Sequence, residues 1–151
     1  MNLTTKENDL LKDMKGQEQL CIDKYEKYAG EAQAPELKTL FHSLADVERG
    51  HLQTINDMMA GKVSTPSGSS SAGGGMTVTK GNYANEQDKK KDTFLCSDML
   101  ATEKHVSALY NTGVFEFSDV QARNMLNHIQ TEEQQHGQKI YEYMNMCGMY
   151  Q

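Results

Sequence analysis

Apolar residues recur every three or four positions along four stretches of the chain, which is the spacing of an amphipathic helix. The stretches form two groups, residues 7–60 and 88–147, each long enough for two antiparallel helices. Pro35 favours the start of the second helix, and Ser118 is a suitable N-cap for the fourth. Gly61 and Gly148 favour helix ends. The pattern predicts an all-α fold, a four-helix bundle made of two helical hairpins.

Between the hairpins, residues 61–85 read GKVSTPSGSSSAGGGMTVTKGNYAN and have no helical period. Glycine, serine and threonine dominate this stretch, a composition typical of flexible connections. A second helix of about 25 residues spans roughly 37 Å, whereas an extended linker of that many residues reaches about 80 Å. The linker can therefore cross from one end of the bundle to the other. We predict a single domain over residues 1–151.

Each of the four apolar stripes contains a glutamate where the helical spacing favours an apolar residue. The second and fourth stripes also contain a histidine three residues after the glutamate, which places the two side chains on one helix face. The sequence therefore directs six polar side chains toward the core: Glu18, Glu48, His51, Glu103, Glu133 and His136.

The same residues belong to an internal repeat. A single Glu-x-x-His is a weak signal, whereas several matches at one fixed offset are much rarer by chance. Glu132 neighbours Glu133, but the offset selects Glu133. The repeat relates residues 85 positions apart: Glu18 to Glu103, Tyr25 to Tyr110, Glu48 to Glu133 and His51 to His136.

Four carboxylates facing one another in a core are unfavourable, because a buried, unpaired carboxylate costs several kcal/mol or becomes protonated. Two divalent cations would balance the four negative charges, and two neutral imidazoles would complete the coordination. One glutamate from each of two helices and a Glu-x-x-His from each of the other two is the ligand set of dimetal bundles. Oxygen and nitrogen ligands without thiolate suit iron, with manganese or zinc as alternatives.

Composition narrows the classes of partner. The formal net charge is −6 and the sequence pI is about 5.3, which disfavours binding to nucleic acid or to an anionic membrane. No stretch has the length and apolar character of a signal peptide or a membrane span. The three cysteines are widely spaced and form no Cys-x-x-Cys pair. We therefore expect a cytoplasmic protein without a thiolate metal site.

The stretches EQLCIDKYEKYA, LADVERGH, ATEKHVSALY and QTEEQQH resemble the ferritin-like superfamily, in particular rubrerythrins and bacterioferritins. The resemblance implies that Glu48 and Glu133 bridge two metals and that Glu18 and Glu103 are terminal ligands. His51 and His136 would each bind one metal. Tyr25 and Tyr110 would lie beside the carboxylates, although packing in the core explains them nearly as well. The residue after Glu48 is Arg49 where bacterioferritins carry a haem-binding Met, so we expect no haem.

The second half, through DMLATEKHVSALYN and the ending YEYMNMCGMYQ, also resembles the spore coat F family of endospore-forming bacteria. Many members of that family are structural or uncharacterised bundles, so this resemblance implies a location in the spore coat. Both resemblances imply one fold, with two antiparallel hairpins joined by a long crossover.

Three functions remain open from the sequence. The first is a di-iron oxidoreductase that oxidises Fe(II) or reduces O2 or peroxide, with a separate protein as electron donor. The second is a coat-type structural or assembly protein whose metal site is structural or non-redox. The third is a metal-free bundle that dimerises. We expect a homodimer or other coat proteins as partners.

Overall fold

Four α-helices form the protein in this computed structural model, which describes residues 1–66 and 76–149. No strand occurs in those two ranges, so the predicted all-α four-helix bundle is confirmed. Helix α1 packs against α2, and α3 packs against α4, to give two hairpins that join mainly through α1 and α3. The helices are α1 (Thr5–Glu31), α2 (Pro35–Met59), α3 (Glu86–Glu116) and α4 (Val120–Met146).

The helix ends follow local sequence signals. Gly61 (φ +83°) and Gly148 (φ +68°) lie just beyond α2 and α4 in the left-handed conformation that glycine tolerates best. The N-cap of α4 is Asp119, whose carboxylate accepts a hydrogen bond from Ala122 N at 2.8 Å. The prediction of Ser118 was therefore wrong by one residue. The backbone N–H of Ser118 instead donates to the Glu7 carboxylate at 3.3 Å.

The core consists of two apolar clusters at opposite ends of the bundle. The first-turn cluster surrounds the α1–α2 turn and is built around side chains such as Phe41, Leu44, Met99 and Ile140. The second-turn cluster surrounds the α3–α4 turn and includes Leu11, Ile55, Val106 and Leu126. Burying a side chain of this size contributes about 1.5–3 kcal/mol. The two clusters hold the helices together and leave the middle of the bundle to the six polar residues.

The two described parts of the crossover pack at opposite ends of the bundle. Val63 packs against the second-turn cluster, whereas Met76 and Val78 pack against the first-turn cluster. Gly81 lies so close to α4 that a Cβ there would meet the Tyr143 hydroxyl oxygen at 2.2 Å, so only glycine fits. Within the predicted crossover of residues 61–85, residues 67–75 lie outside the described residues.

Each hairpin turn is held by a buried carboxylate from the other hairpin. Asp92 of α3 accepts hydrogen bonds from Gln33 N at 2.8 Å and Ala34 N at 3.0 Å, in the α1–α2 turn. Glu7 of α1 accepts from Ser118 N in the α3–α4 turn. Glu7 and Asp92 are 85 residues apart, the offset of the internal repeat. The repeat therefore extends to the contacts that fix the turns.

Candidate metal centre

The six polar side chains predicted to face the core meet in the middle of the bundle, between the two apolar clusters. None of them is more than 3% exposed. Each helix contributes at least one side chain, and the two Glu-x-x-His pairs come from α2 and α4, which contact each other between the two hairpins. The full set is Glu18 from α1, Glu48 and His51 from α2, Glu103 from α3, and Glu133 and His136 from α4.

The side chains form two overlapping groups, in each of which the ligand atoms all lie within 4.8 Å of one another. We call the groups the His51 position and the His136 position. Glu48 and Glu133 belong to both groups, which is the geometry expected of bridging carboxylates. The His51 position consists of Glu18, Glu48, His51 and Glu133, and the His136 position of Glu48, Glu103, Glu133 and His136.

Both imidazole rings turn Nδ1 toward the centre. His51 Nδ1 lies 2.9 Å from Glu133 Oε1 and 3.6 Å from Glu48 Oε2. His136 Nδ1 lies 2.7 Å from Glu48 Oε1 and 3.3 Å from Glu103 Oε1. The rings stack, with centroids 5.8 Å apart and an interplanar angle of 17°. Each histidine therefore presents the same nitrogen to the shared carboxylates.

The carboxyl groups divide into two kinds. Burial raises the pKa of Glu48 and of Glu133 well above the usual range, and the neighbouring carboxylates raise both further. Burial also acts to raise the pKa of Glu18, but contacts with Glu48, His51 and Tyr110 outweigh it and lower the value to about 2. Burial opposes ionisation of Glu103 as well, yet the charge of His136 lowers its pKa. The surroundings therefore favour the protonated form of the two shared carboxyls and the ionised form of the other two.

The surroundings of the two histidines favour their charged form. Burial acts to lower the pKa of His51, but the charge of Glu48 and contacts with Glu132 and Glu133 raise it well above its usual range. Burial opposes protonation of His136 too, and Glu103 raises its pKa. The pKa values of Glu48, Glu133 and both histidines are thus all shifted in the direction that adds protons to the centre, which offsets the negative charge of the buried carboxylates.

The same side chains fit a pair of divalent cations. Among the described residues, five oxygens of the four carboxylates are buried without a hydrogen-bond partner: Glu18 Oε2, Glu48 Oε1 and Oε2, Glu103 Oε2 and Glu133 Oε2. Buried polar atoms are normally satisfied, so a group of orphans marks a place for a further partner. Two divalent cations bring four positive charges, which balance four ionised carboxylates when both imidazoles are neutral.

Two buried tyrosines bind the outer carboxylates across the hairpins. The Tyr110 hydroxyl donates to Glu18 Oε1 at 2.6 Å, and the Tyr25 hydroxyl donates to Glu103 Oε1. Burial, together with the neighbouring carboxylates, raises the pKa of both phenols well above the usual range, so they remain donors. The tyrosines that the repeat identified therefore orient the two carboxylates that are not shared.

Glu132 lies against the centre, a contact that sequence reasoning missed. Its Oε1 lies 2.9 Å from His51 Nε2 and 3.3 Å from His128 Nε2. It is only 6% exposed, although the repeat selected its neighbour Glu133. In the sequence, Glu132 was visible only as a second glutamate beside Glu133.

A pocket of about 370 Å³ lies between α3 and α4, and two carboxylate residues of the centre, Glu103 and Glu133, are among its lining residues. Ser107 and Gly137 line it as well. Small side chains at these two positions leave room between the helices.

Cys21 also lies near the centre, where burial and the surrounding carboxylates raise the pKa of its thiol, so it stays protonated.

Residues 91–151 match the family model of the Coat F domain, so the second hairpin from early α3 onward is similar to that family. Searches of curated proteins and of solved structures gave no match. Across the two described ranges, none of the helices is both long enough and apolar enough to span a membrane.

Proposed function

We propose that this chain is a coat-type helical bundle that binds two divalent metal ions in the middle of its core. One observation supports the metals: two overlapping ligand groups are buried and share a pair of carboxylates, three of whose four oxygens have no hydrogen-bond partner in the described residues. The Coat F similarity of residues 91–151 supports association with the spore coat. We propose iron as the metal, with manganese and zinc as the alternatives that oxygen and nitrogen ligands also suit.

The metals would stabilise the fold, because a ligand that binds only the folded state adds to the free energy of unfolding. At a free metal concentration about 1,000 times Kd, that gain is about 4 kcal/mol per site. In the metal-free protein, the raised pKa values of Glu48 and Glu133 favour their protonation, which reduces repulsion among the carboxylates. Metal binding would exchange those protons for ligand bonds. A structural role in coat assembly requires no further chemistry.

A second candidate function is that of a di-iron oxidoreductase, and the pocket between α3 and α4 favours it. Glu103 and Glu133 lie on both the pocket and the centre, so a small oxidant such as O2 or peroxide would have a route inward. A reduced metal pair would supply the electrons, and Fe(II) would be the substrate of a ferroxidase. Tyr25 and Tyr110 would hold the outer carboxylates in place. Continued turnover of O2 or peroxide would need a separate electron donor.

The test begins with the purified full chain under anaerobic conditions. Fe(II), Mn(II) or Zn(II) is added, and metals per chain are counted together with the shift in Tm. The variant Glu48→Gln/Glu133→Gln removes the shared carboxylates while keeping their shape. The matched control Glu31→Gln/Glu86→Gln changes the same charge at two exposed positions. We expect two metals per chain and a raised Tm for the wild type and the control, and neither for the shared-carboxylate variant.

The two candidate functions then separate on addition of O2 or hydrogen peroxide to the Fe(II)-loaded protein. An absorption change that recurs over many turnovers, with the shared-carboxylate variant silent, would favour the oxidoreductase. Two bound metals without turnover would favour the structural role. A wild type that binds no metal would overturn the proposal and leave a metal-free bundle.

A further inference from the structure

The two metal positions have different surroundings, although their ligands are the same by type. His51 Nε2, on the side of the ring away from the centre, lies 2.9 Å from the Glu132 carboxylate. His136 Nε2 is buried and has no hydrogen-bond partner among the described residues. The residue 85 positions before Glu132 is Val47, which offers no acceptor. Among the described residues, the outer nitrogen of His51 therefore has a carboxylate partner and that of His136 has none.

A carboxylate behind a ligating histidine fixes the ring and makes its inner nitrogen a better donor to metal. Loss of such a partner typically weakens metal binding by 10–100-fold. The His51 position has this support and the His136 position lacks it. Each position has three carboxylates and one imidazole. The ligand types alone would therefore not produce a difference in metal affinity.

The pocket adds a second, independent difference. Of the two outer carboxylates, it is Glu103 of the His136 position that lines the pocket. Its walls include Ser107 and Gly137, whereas the equivalent positions of the first hairpin, at the same offset of 85, carry Ile22 and Leu52. Ile22 is buried at 6% exposure and Leu52 is half-buried. This pocket therefore lies on the side of the histidine whose outer nitrogen has no partner among the described residues.

We propose that the His136 position is the exchangeable metal site, loaded and emptied through the pocket between α3 and α4, and that the His51 position retains its metal. This inference rests on the proposed metal binding. The cargo of the exchangeable position is a divalent transition-metal ion. Glu132 acts as a positioning residue for the retained one.

Release of Co(II) tests the inference with a readout that does not depend on activity. The full chain is loaded with Co(II), and its visible absorption is followed after excess chelator is added. We expect two phases of equal amplitude, with one Co(II) per chain leaving at least about ten times faster than the other. Release in one phase would overturn the inference while leaving the proposed metal centre intact. Failure to bind any Co(II) would overturn both.

Variants at the two equivalent positions assign the phases. Because position 47 is equivalent to Glu132 in the repeat, Val47→Glu should supply an acceptor to His136 Nε2 and slow the fast phase about tenfold or more, whereas Val47→Leu should leave it unchanged. Glu132→Val should accelerate the slow phase by a similar factor. Glu132→Gln keeps an oxygen acceptor and should restore slow release. Changes in the opposite phases, or in neither, would contradict the assignment.

Filling the pocket tests the route. At Gly137 an added Cβ would meet Leu100 Cδ1 at 3.6 Å, an ordinary contact, so a longer side chain extends into the pocket rather than into the backbone. Gly137→Leu should slow both uptake and release at the His136 position and leave the final count of two metals unchanged. Gly50→Leu is the matched control, because no atom lies within 4 Å of a Cβ at that position. Equal kinetics in the two variants would exclude this pocket as the route.

Discussion

The first hairpin (α1 and α2) and the second hairpin (α3 and α4) depend on each other through exchanged contacts. Tyr25 of the first hairpin donates to Glu103 of the second, and Tyr110 of the second donates to Glu18 of the first. His51 faces Glu133 across the bundle, and His136 faces Glu48. In the centre, therefore, each hairpin completes the side chains of the other, and neither holds a full set of partners alone.

Away from the centre the two hairpins diverge. Asp92 accepts hydrogen bonds from two backbone N–H groups of the α1–α2 turn and from the Tyr83 hydroxyl of the crossover. Glu7, its equivalent, accepts one from the α3–α4 turn and one from the backbone of Thr4. The centre has the same residue types in both hairpins, because the charges of one hairpin are paired with those of the other. At the turns the residue type differs, because either an aspartate or a glutamate can accept from the backbone N–H groups.

The largest expected effect is the pH dependence of metal binding, which tests whether the two hairpins contribute equally to the centre. Each hairpin contributes one shared carboxyl, Glu48 or Glu133, and one histidine, and each of the four that is protonated must lose its proton to bind metal. Because these pKa values are raised, metal binding should weaken as the pH falls. A release of about four protons per metal pair would change the overall affinity by about 10⁴ for each pH unit. Calorimetry of metal binding in buffers of different ionisation enthalpy counts the protons.

The exposed variant Glu31→Gln/Glu86→Gln should release the same number of protons as the wild type. A count near two would mean that only one kind of group, or only one hairpin, carries its protons. Binding without proton release would contradict the electrostatic balance described for the metal-free centre.

The centre could be predicted from the sequence because its two halves carry the same residue types at equivalent positions. One offset was therefore enough to find all six residues. Glu132 was missed because Val47 stands at the equivalent position, and a feature present in one half leaves no repeat. The pair of Glu7 and Asp92 was missed because the two residues differ in type. The partner of a long polar side chain depends on tertiary packing, which helical periodicity does not report.

An intermediate effect is expected at the turns, where the hairpins differ. Asp92→Ala removes a fully buried acceptor from three donors, and leaving a buried donor unpaired costs about 1–3 kcal/mol. We expect a loss of about 3 kcal/mol or more in the free energy of unfolding. Glu7→Ala, with one weaker contact to the opposite turn, should cost about 1–2 kcal/mol. Urea unfolding of the metal-free variants measures both.

Asp92→Asn is the matched control, because it keeps one acceptor oxygen and should lose less than Asp92→Ala. Similar losses for Asp92→Ala and Glu7→Ala would mean that the turns are as equivalent as the centre. In that case the number of hydrogen bonds that a carboxylate accepts would not determine how much it contributes to the free energy of unfolding.

The smallest effect, and the most direct test of exchange between the hairpins, concerns the two tyrosines. Tyr25→Phe and Tyr110→Phe each remove one hydroxyl and leave the ring in the core, so packing is preserved. A hydrogen bond to a charged group is worth about 1.5–3 kcal/mol, and a neutral one about 1 kcal/mol. Because each hydroxyl binds an ionised carboxylate of the opposite hairpin, we expect equal losses of about 1.5 kcal/mol. The double variant should lose the sum, since the two bonds share no partner. Unequal losses would place one tyrosine in ordinary packing, and a double loss well below the sum would mean that the two outer carboxylates act as one unit.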